Sequence, residues 1–131
     1  MLNDSRVEAN IPAADIERAK TFYADKLGLT PAAEPFPGYL QYETAGGTLF
    51  NVYQTEYAGI AGHTIAQFHV SDVEHEVRDL KAKGVAFEVY QDMPGVEWQG
   101  EVAVMPGMGK AAWFKDSEGN ILCVDEASRG R

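Results

Sequence analysis

The chain repeats one short pattern at a spacing of 57 residues. Residues 9–17 read A-N-I-P-A-A-D-I-E, and residues 66–74 read A-Q-F-H-V-S-D-V-E. In each copy a short apolar alternation leads into acidic residues that open a helix. A second echo has a spacing of 72 residues, where G-T-L-F-N-V at 47–52 parallels G-N-I-L-C-V at 119–124. Two copies of one structural unit are therefore predicted.

The first copy reads as a strand, a helix and further strands. Residues 6–11 alternate between apolar and polar side chains, which is typical of a strand with one wet face. Asp15 is expected to cap a helix that Gly28 ends. Residues 39–44 and 48–54 then predict a hairpin.

The second copy follows the same order with longer loops. Residues 63–70 predict its first strand, and Ser71 with Glu74 forms a capping box at the start of its helix. Residues 92–100, with a proline, glycines and a tryptophan, are expected to be a loop. The remaining strands are expected at 87–90, 102–105, 111–115 and 121–126.

The predicted fold class is α+β, with two tandem β-α-β-β-β units forming a curved half-barrel sheet with helices on its outer face. At 131 residues the chain suits one compact domain. Unit one is expected at about 6–54, a linker at 55–62, unit two at about 63–126 and a frayed tail at 127–131.

Composition excludes several classes of function. The net charge of −9 argues against nucleic acid and anionic membranes as partners, and weakly favours a cationic ligand. A single cysteine, Cys123, excludes an intrachain disulfide and a cysteine zinc cluster. The start of the chain lacks the pattern of a secretory signal, and no apolar run is long enough to span a membrane. A cytoplasmic protein is therefore expected.

Strand alternation separates two faces of the predicted sheet. The helix-facing side is expected to hold Val7, Ala9, Ile11, Phe50, Val52, Ala66, Phe68, Val70, Ala112, Phe114, Leu122 and Val124. The opposite side is expected to hold Glu8, Asn10, Leu49, Asn51, Tyr53, His63, Ile65, Gln67, His69, Trp113, Ile121, Cys123 and Asp125. A concave face that mixes aromatic, aliphatic and polar groups is typical of a ligand pocket.

Three longer motifs occur in order along most of the chain. They are D-I-E-R-A-K-T-F-Y-A-D-K-L-G-L at 15–29, V-S-D-V-E-H-E-V-R-D-L-K-A-K-G-V at 70–85 and A-W-F-K-D-S-E-G-N-I-L at 112–122. With them, about residues 6–126 closely resemble the vicinal oxygen chelate superfamily, which groups glyoxalase I, bleomycin-resistance proteins and extradiol dioxygenases. The resemblance implies the fold and a homodimer, but it says less about chemistry because this fold hosts several functions.

Enzymes of that superfamily hold a divalent metal in the concave face, with ligands from the first and last strands of each unit. The two repeat spacings carry those four positions onto Glu8, Asn51, Ile65 and Cys123. A typical site would hold histidine and glutamate there, whereas isoleucine supplies no ligand atom and asparagine a poor one. The resemblance therefore implies a degenerate metal site and no cofactor.

We expect a small-molecule binding protein, with a cationic or aromatic ligand in the concave pocket. The expected lining residues are Glu8, Asn51, Tyr53, Gln67, His69, Trp113 and Cys123. One alternative is a metal-dependent lyase, isomerase or dioxygenase of the glyoxalase type, with the metal held by Glu8 together with His63 or His69. Another is metal-free acid–base catalysis by Glu8 and His69.

Overall fold

The computed structural model describes residues 1–127, so residues 128–131 of the predicted tail lie outside the described part of the chain. In chain order the elements are β1 (Ala9–Ala13), α1 (Ile16–Asp25), β2 (Ala33–Phe36), β3 (Tyr39–Glu43), β4 (Leu49–Gln54), β5 (Thr64–His69), α2 (Val73–Ala82), β6 (Phe87–Glu88), β7 (Glu97–Gln99), β8 (Val102–Met105), β9 (Gly109–Lys115) and β10 (Ile121–Ala127). Neither helix is long and apolar enough to cross a membrane.

The strands form two open mixed sheets, one for each unit. Their orders are β1-β4-β3-β2 and β5-β10-β9-β8-β7, with β6 paired to β9. In both sheets the first strand of the unit runs parallel to the last, with Asn10 opposite Asn51 and Gln67 opposite Cys123. These two pairs are related by the same spacings, 57 and 72, that relate the repeated sequences. The predicted α+β fold with two β-α-β-β-β units is confirmed.

Helix α1 begins and packs as its sequence predicts. The Asp15 carboxylate accepts a hydrogen bond from the backbone N–H of Arg18 at 3.1 Å, which satisfies one of the free donors of the first turn. Ala19 and Tyr23 expose none of their surface and direct the helix onto the sheet. Gly28 follows the helix with a φ of 72°, a conformation that glycine adopts without steric cost.

The cap of helix α2 differs from the prediction by one residue. The N-cap is Asp72 and not Ser71: its backbone is extended, and its carboxylate accepts from the backbone N–H of His75 at 3.1 Å. The apolar stripe of Val73, Val77 and Leu80 is buried as expected. The capping box was wrong because both adjacent side chains can cap a helix, and the sequence alone does not select between them.

Strand boundaries account for two further differences. The first strand begins at Ala9 and not at residue 6, so Val7 is 92% exposed and lies outside the core. The expected loop at 92–100 contains the short strand β7, which pairs with β8. Ala9, also predicted for the apolar face, is exposed because it lies at the open end of the strand. Further along the sheets the apolar face agrees with the prediction, since Ile11 and Phe114 are each 1% exposed.

A turn of the second unit joins the two halves of the core. It connects β9 to β10 at residues 116–120, and its Asp116 carboxylate accepts from the Tyr23 hydroxyl at 2.8 Å. The Asn120 amide donates to the Pro12 carbonyl oxygen at 2.7 Å. Burial and the neighbouring Asp116 charge raise the pKa of Tyr23, so this phenol stays a hydrogen-bond donor. The helix and first strand of unit one are therefore fixed to unit two.

Candidate functional site

The seven residues predicted to line the pocket fall into two clusters, one on each sheet. The first sheet carries Asn51 and Tyr53, with Glu8 directly before β1, and the second carries Gln67, His69, Trp113 and Cys123. Three cavities lie beside Glu8, Tyr53 and Trp113 respectively, and each is lined by residues of one unit, with Gly62 of the linker in the third. Within residues 1–127 the two clusters do not share one of these three cavities.

The cluster on the first sheet is a hydrogen-bonded polar network centred on Asn51. This side chain is 2% exposed, and its amide nitrogen donates to Glu8 Oε2 at 3.2 Å and to Asn10 Oδ1 at 3.1 Å. The Tyr39 hydroxyl donates to the same Asn10 oxygen at 3.3 Å. Tyr53, 37% exposed, lies beside Tyr39 with ring centroids 6.5 Å apart. The Glu8 carboxylate therefore has a hydrogen-bond donor in this network, the Asn51 amide, that is not a cation.

The four positions implied for a metal do not form a suitable donor set. Asn51 presents N–H groups to Glu8, where a metal centre would need a further acceptor atom. Ile65 has no ligand atom, and Cys123 lies on the other sheet and exposes none of its surface. Since Glu8 supplies the one accessible strong ligand among these four positions, they do not fit the metal of the superfamily enzymes.

Trp113 is the centre of the cluster on the second sheet. Its indole N–H donates to Thr64 Oγ1 at 3.1 Å, which fixes the ring on the face of the sheet. Tyr90 packs edge-on against it with centroids 5.8 Å apart, and Trp98 lies 6.1 Å away. A cavity of about 260 Å³ opens beside these rings. It is lined by Gly62, His63, Thr64, Tyr90, Met93, Trp113 and Ile121.

Two polar atoms in this aromatic cluster are buried without a hydrogen-bond partner in the described part of the chain. They are the Tyr90 hydroxyl and the Trp98 indole nitrogen. An unpaired buried donor costs roughly 1–3 kcal/mol, so most native structures satisfy such groups with protein, water or a ligand. Tyr90 was not among the predicted site residues. The signal for Tyr90 was the strand predicted at 87–90, in which alternation places Tyr90 on the same side as Glu88 and opposite to Phe87.

The two histidines considered as rescuing ligands lie at opposite ends of β5. His69 Nδ1 lies 2.8 Å from Asp125 Oδ1, and the His69 side chain is 76% exposed. His63 Nδ1 lies 2.9 Å from the carbonyl oxygen of its neighbour Thr64. Asp125 was placed on the predicted pocket face without a role. Its contact with His69 gives it one, because the carboxylate orients the imidazole ring through Nδ1 and leaves Nε2 free of this contact.

Cys123 lies between these groups as a buried thiol. Its sulfur is 4.0 Å from the Gln67 amide nitrogen, and the residue exposes none of its surface. Burial and the nearby Asp125 charge raise the pKa of the thiol to about 11. At neutral pH Cys123 is therefore a neutral packed side chain and not a nucleophile.

One acidic group stands apart from both clusters. Carboxylate oxygens of Asp72, Glu74 and Glu126 lie within 4.8 Å of one another at the start of α2. Glu74 is paired with Lys110 at 2.8 Å, and Glu126 accepts from the backbone N–H of Val73 at 2.9 Å. These contacts explain why three carboxylates lie together here: they surround the N-terminus of α2, where negative charge is favourable.

Comparison with known proteins agrees with this architecture. The bleomycin resistance protein-like N-terminal family matches residues 7–44. No curated protein matches the sequence. The solved structure of UcmS2 is 19% identical, covers 92% of this chain and 97% of its own, and has a TM-score of 0.68.

Two further solved structures have the same arrangement. The fosfomycin resistance protein FosX from Listeria monocytogenes is 12% identical, covers 95% of this chain and 92% of its own, and has a TM-score of 0.69. Lactoylglutathione lyase from Agrobacterium tumefaciens is 17% identical, covers 93% of each chain and has a TM-score of 0.67. The resemblance seen in the sequence is thus confirmed, and the chain has the fold of the vicinal oxygen chelate superfamily.

Proposed function

We propose that this protein binds a small planar aromatic molecule in the cavity beside Trp113. The observation that carries the proposal is the fixed indole ring, anchored through Thr64 and flanked by Tyr90, at the edge of a cavity of about 260 Å³. Offset and edge-on aromatic pairs add about 0.5–1.5 kcal/mol beyond the area that they bury. A planar ligand inserted between these side chains would gain such contacts on more than one side.

The preferred ligand carries a hydrogen-bond acceptor and no negative charge. The Tyr90 hydroxyl and the Trp98 indole nitrogen are donors without partners in residues 1–127. Tyr90 lines the cavity, and Trp98 packs against Trp113 beside it, so an acceptor on the ligand would satisfy Tyr90 directly and Trp98 after a movement of its ring. The net charge of −9 disfavours anions and favours neutral or cationic molecules.

Binding without a metal fits the donor set of this chain better than metal-dependent catalysis. A lyase, isomerase or dioxygenase of the glyoxalase type would require strong ligands at the positions of Asn51, Ile65 and Cys123. FosX has been crystallised with Mn(II), but at 13% identity that likeness concerns the fold. Elemental analysis of untagged protein, with a thermal shift on adding manganese, nickel, zinc and iron(II), separates the two hypotheses. About one metal ion per chain in the wild-type protein, and none in Glu8→Gln, would favour the metal-dependent enzyme.

A homodimer and a cytoplasmic location remain part of the proposal. The dimer rests on the family resemblance, and two separate clusters open to the surface leave room for a second chain to cover either one. Sedimentation at several concentrations tests it. A single species with the mass of one chain at all concentrations would contradict the dimer and leave the aromatic cavity unaffected.

Tryptophan fluorescence tests the ligand directly, because both tryptophans of the chain belong to this aromatic cluster. Quinoline and its carbocyclic isostere naphthalene differ in one ring nitrogen, so they compare ligands with and without an acceptor. We expect saturable quenching by quinoline, tighter than by naphthalene, and a loss of at least about tenfold in affinity in Trp113→Ala. Val89→Ala, an exposed neighbour of Tyr90, is the control. Equal affinity in Trp113→Ala and wild type would contradict the proposal.

A further inference from the structure

A further cavity lies on the opposite face of the second sheet, beneath helix α2. Its volume is about 150 Å³. Apolar side chains dominate its wall, among them Leu29, Phe68, Leu80 and Phe114. Phe114 and Trp113 are neighbours in β9 and point to opposite faces, so this cavity is separate from the aromatic one. The two cavities share no lining residue.

Glu76 is the one charged residue in the wall of this cavity. It is half-buried, and its carboxylate has no hydrogen bond or ion pair to any residue in the range 1–127. The other acidic residues of the α2 region are engaged: Asp72 caps the helix, Glu74 pairs with Lys110, and Asp79 pairs with His75. Glu76 is therefore a carboxylate left without a counter-charge at an otherwise apolar wall.

An apolar wall with one unpaired carboxylate favours an organic cation over other ligands. A carboxylate beside apolar groups is stabilised by a positively charged hydrogen-bond donor, and such charge-assisted bonds are about twice as strong as neutral ones. The cavity has about the volume of an apolar protein cavity known to hold benzene, so one six-membered ring fits among its side chains. The Glu76 carboxylate would repel an anion, and a strongly polar molecule would lack hydrogen-bond partners among the apolar side chains.

We propose that this cavity binds a small primary ammonium ion with an apolar body, such as an arylalkylamine. The ring lies among Leu29, Phe68 and Leu80, and the ammonium group donates to the Glu76 carboxylate. The net charge of −9 raises the local concentration of such cations. This site is independent of the proposed function, because its ligand contacts neither Trp98 nor Trp113.

Benzylammonium is the probe, and benzyl alcohol is its neutral isostere. Titrations followed by calorimetry and by amide NMR shifts are expected to show saturable binding of the amine at least about tenfold tighter than the alcohol, weakening as salt rises. The amide shifts should cluster in α2 and β5. Amide shifts in α2 and β5 that saturate independently of any change in tryptophan fluorescence distinguish this site from the aromatic cavity.

Two variants with the same change of net charge complete the test. Glu76→Gln should reduce the affinity for benzylammonium at least tenfold and leave that for benzyl alcohol unchanged. Glu17→Gln, on the exposed side of α1, should leave both affinities unchanged. The proposal is overturned if wild-type protein shows no saturable binding of the amine. It is also overturned if amine and alcohol bind equally, or if both variants weaken binding to the same extent.

Discussion

Arg18 of α1 holds Glu118 of the β9–β10 turn by two hydrogen bonds, from Nε to Oε2 at 2.8 Å and from Nη2 to Oε1 at 3.0 Å. The same carboxylate accepts from the backbone N–H of Asp15 at 2.9 Å and from the Ser117 hydroxyl at 2.8 Å. The Glu118 side chain is fully buried, whereas that of Arg18 is 54% exposed. One carboxylate of unit two thus completes the helix start of unit one and fastens the units together.

Replacing this carboxylate should destabilise the whole fold. Glu118→Gln keeps the size of the side chain but removes the charge from four hydrogen bonds, so we expect a loss of about 2–3 kcal/mol in the free energy of unfolding. Glu34→Gln is the control, since Glu34 forms an exposed pair with Lys20 at 3.0 Å and should cost less than about 1 kcal/mol. Urea unfolding measures both. Equal losses would contradict the role assigned to Glu118.

The same contact should make stability depend on pH in the acid range. Burial alone would raise the pKa of Glu118, but the hydrogen bonds from Arg18, Asp15 and Ser117 lower it to about 2 from its ordinary 4.5. Because the folded-state pKa lies below the unfolded one, this stabilisation is present above about pH 4.5 and is lost as the pH falls toward about 2. The stability gap between wild type and Glu118→Gln should therefore narrow between about pH 5 and 3. A constant gap would contradict the lowered pKa.

Gly59 should tolerate no side chain, because it touches the same turn. A Cβ at Gly59 would lie 2.6 Å from the carbonyl oxygen of Glu118, and its φ is +75°. Gly46 has a similar φ of +71° with nothing within 4 Å of the added atom, so Gly46→Ala measures the backbone strain alone. We expect about 1–2 kcal/mol for Gly46→Ala and clearly more for Gly59→Ala in urea unfolding. Equal costs would mean that the turn moves aside freely.

Cys123 should be unreactive in the folded protein. The residue is fully buried, and its pKa is raised to about 11, so almost no thiolate forms near neutral pH. A thiol-specific disulfide reagent should therefore release no colour from native protein and one equivalent from protein in denaturant, since the chain has one cysteine. Rapid reaction of the native protein would show that this face of the sheet opens.

The faces of the strands were predictable because alternation in a strand depends on neighbouring residues alone. Ile11, Val52 and Leu122 are buried on the helix side as their positions require. Val7 shows the limit of that pattern, since alternation continues past the residue where pairing with β4 begins. The end of a strand is set by its partner strand, and the local sequence does not contain that information.

Contacts between distant segments could not be predicted from the sequence either, because they too depend on how the strands pair. His69 and Asp125 are 56 positions apart and meet because β5 pairs with β10 in one particular register. Tyr90 meets Trp113 because β6 pairs with β9, which places Glu88 opposite Trp113 and Tyr90 two residues further along the chain. The repeat located both strands correctly, but a single sequence does not specify which of several polar side chains on one face become partners.

The most direct test of the central claim is an NMR titration of the two indole N–H signals with quinoline. Trp113 and Trp98 are the only tryptophans, and both belong to the proposed binding cluster. If the cavity binds planar aromatic molecules, both signals shift saturably, and the Trp98 signal moves further because its N–H gains an acceptor. Saturable binding of quinoline with both indole signals unmoved would place the ligand elsewhere and contradict the account.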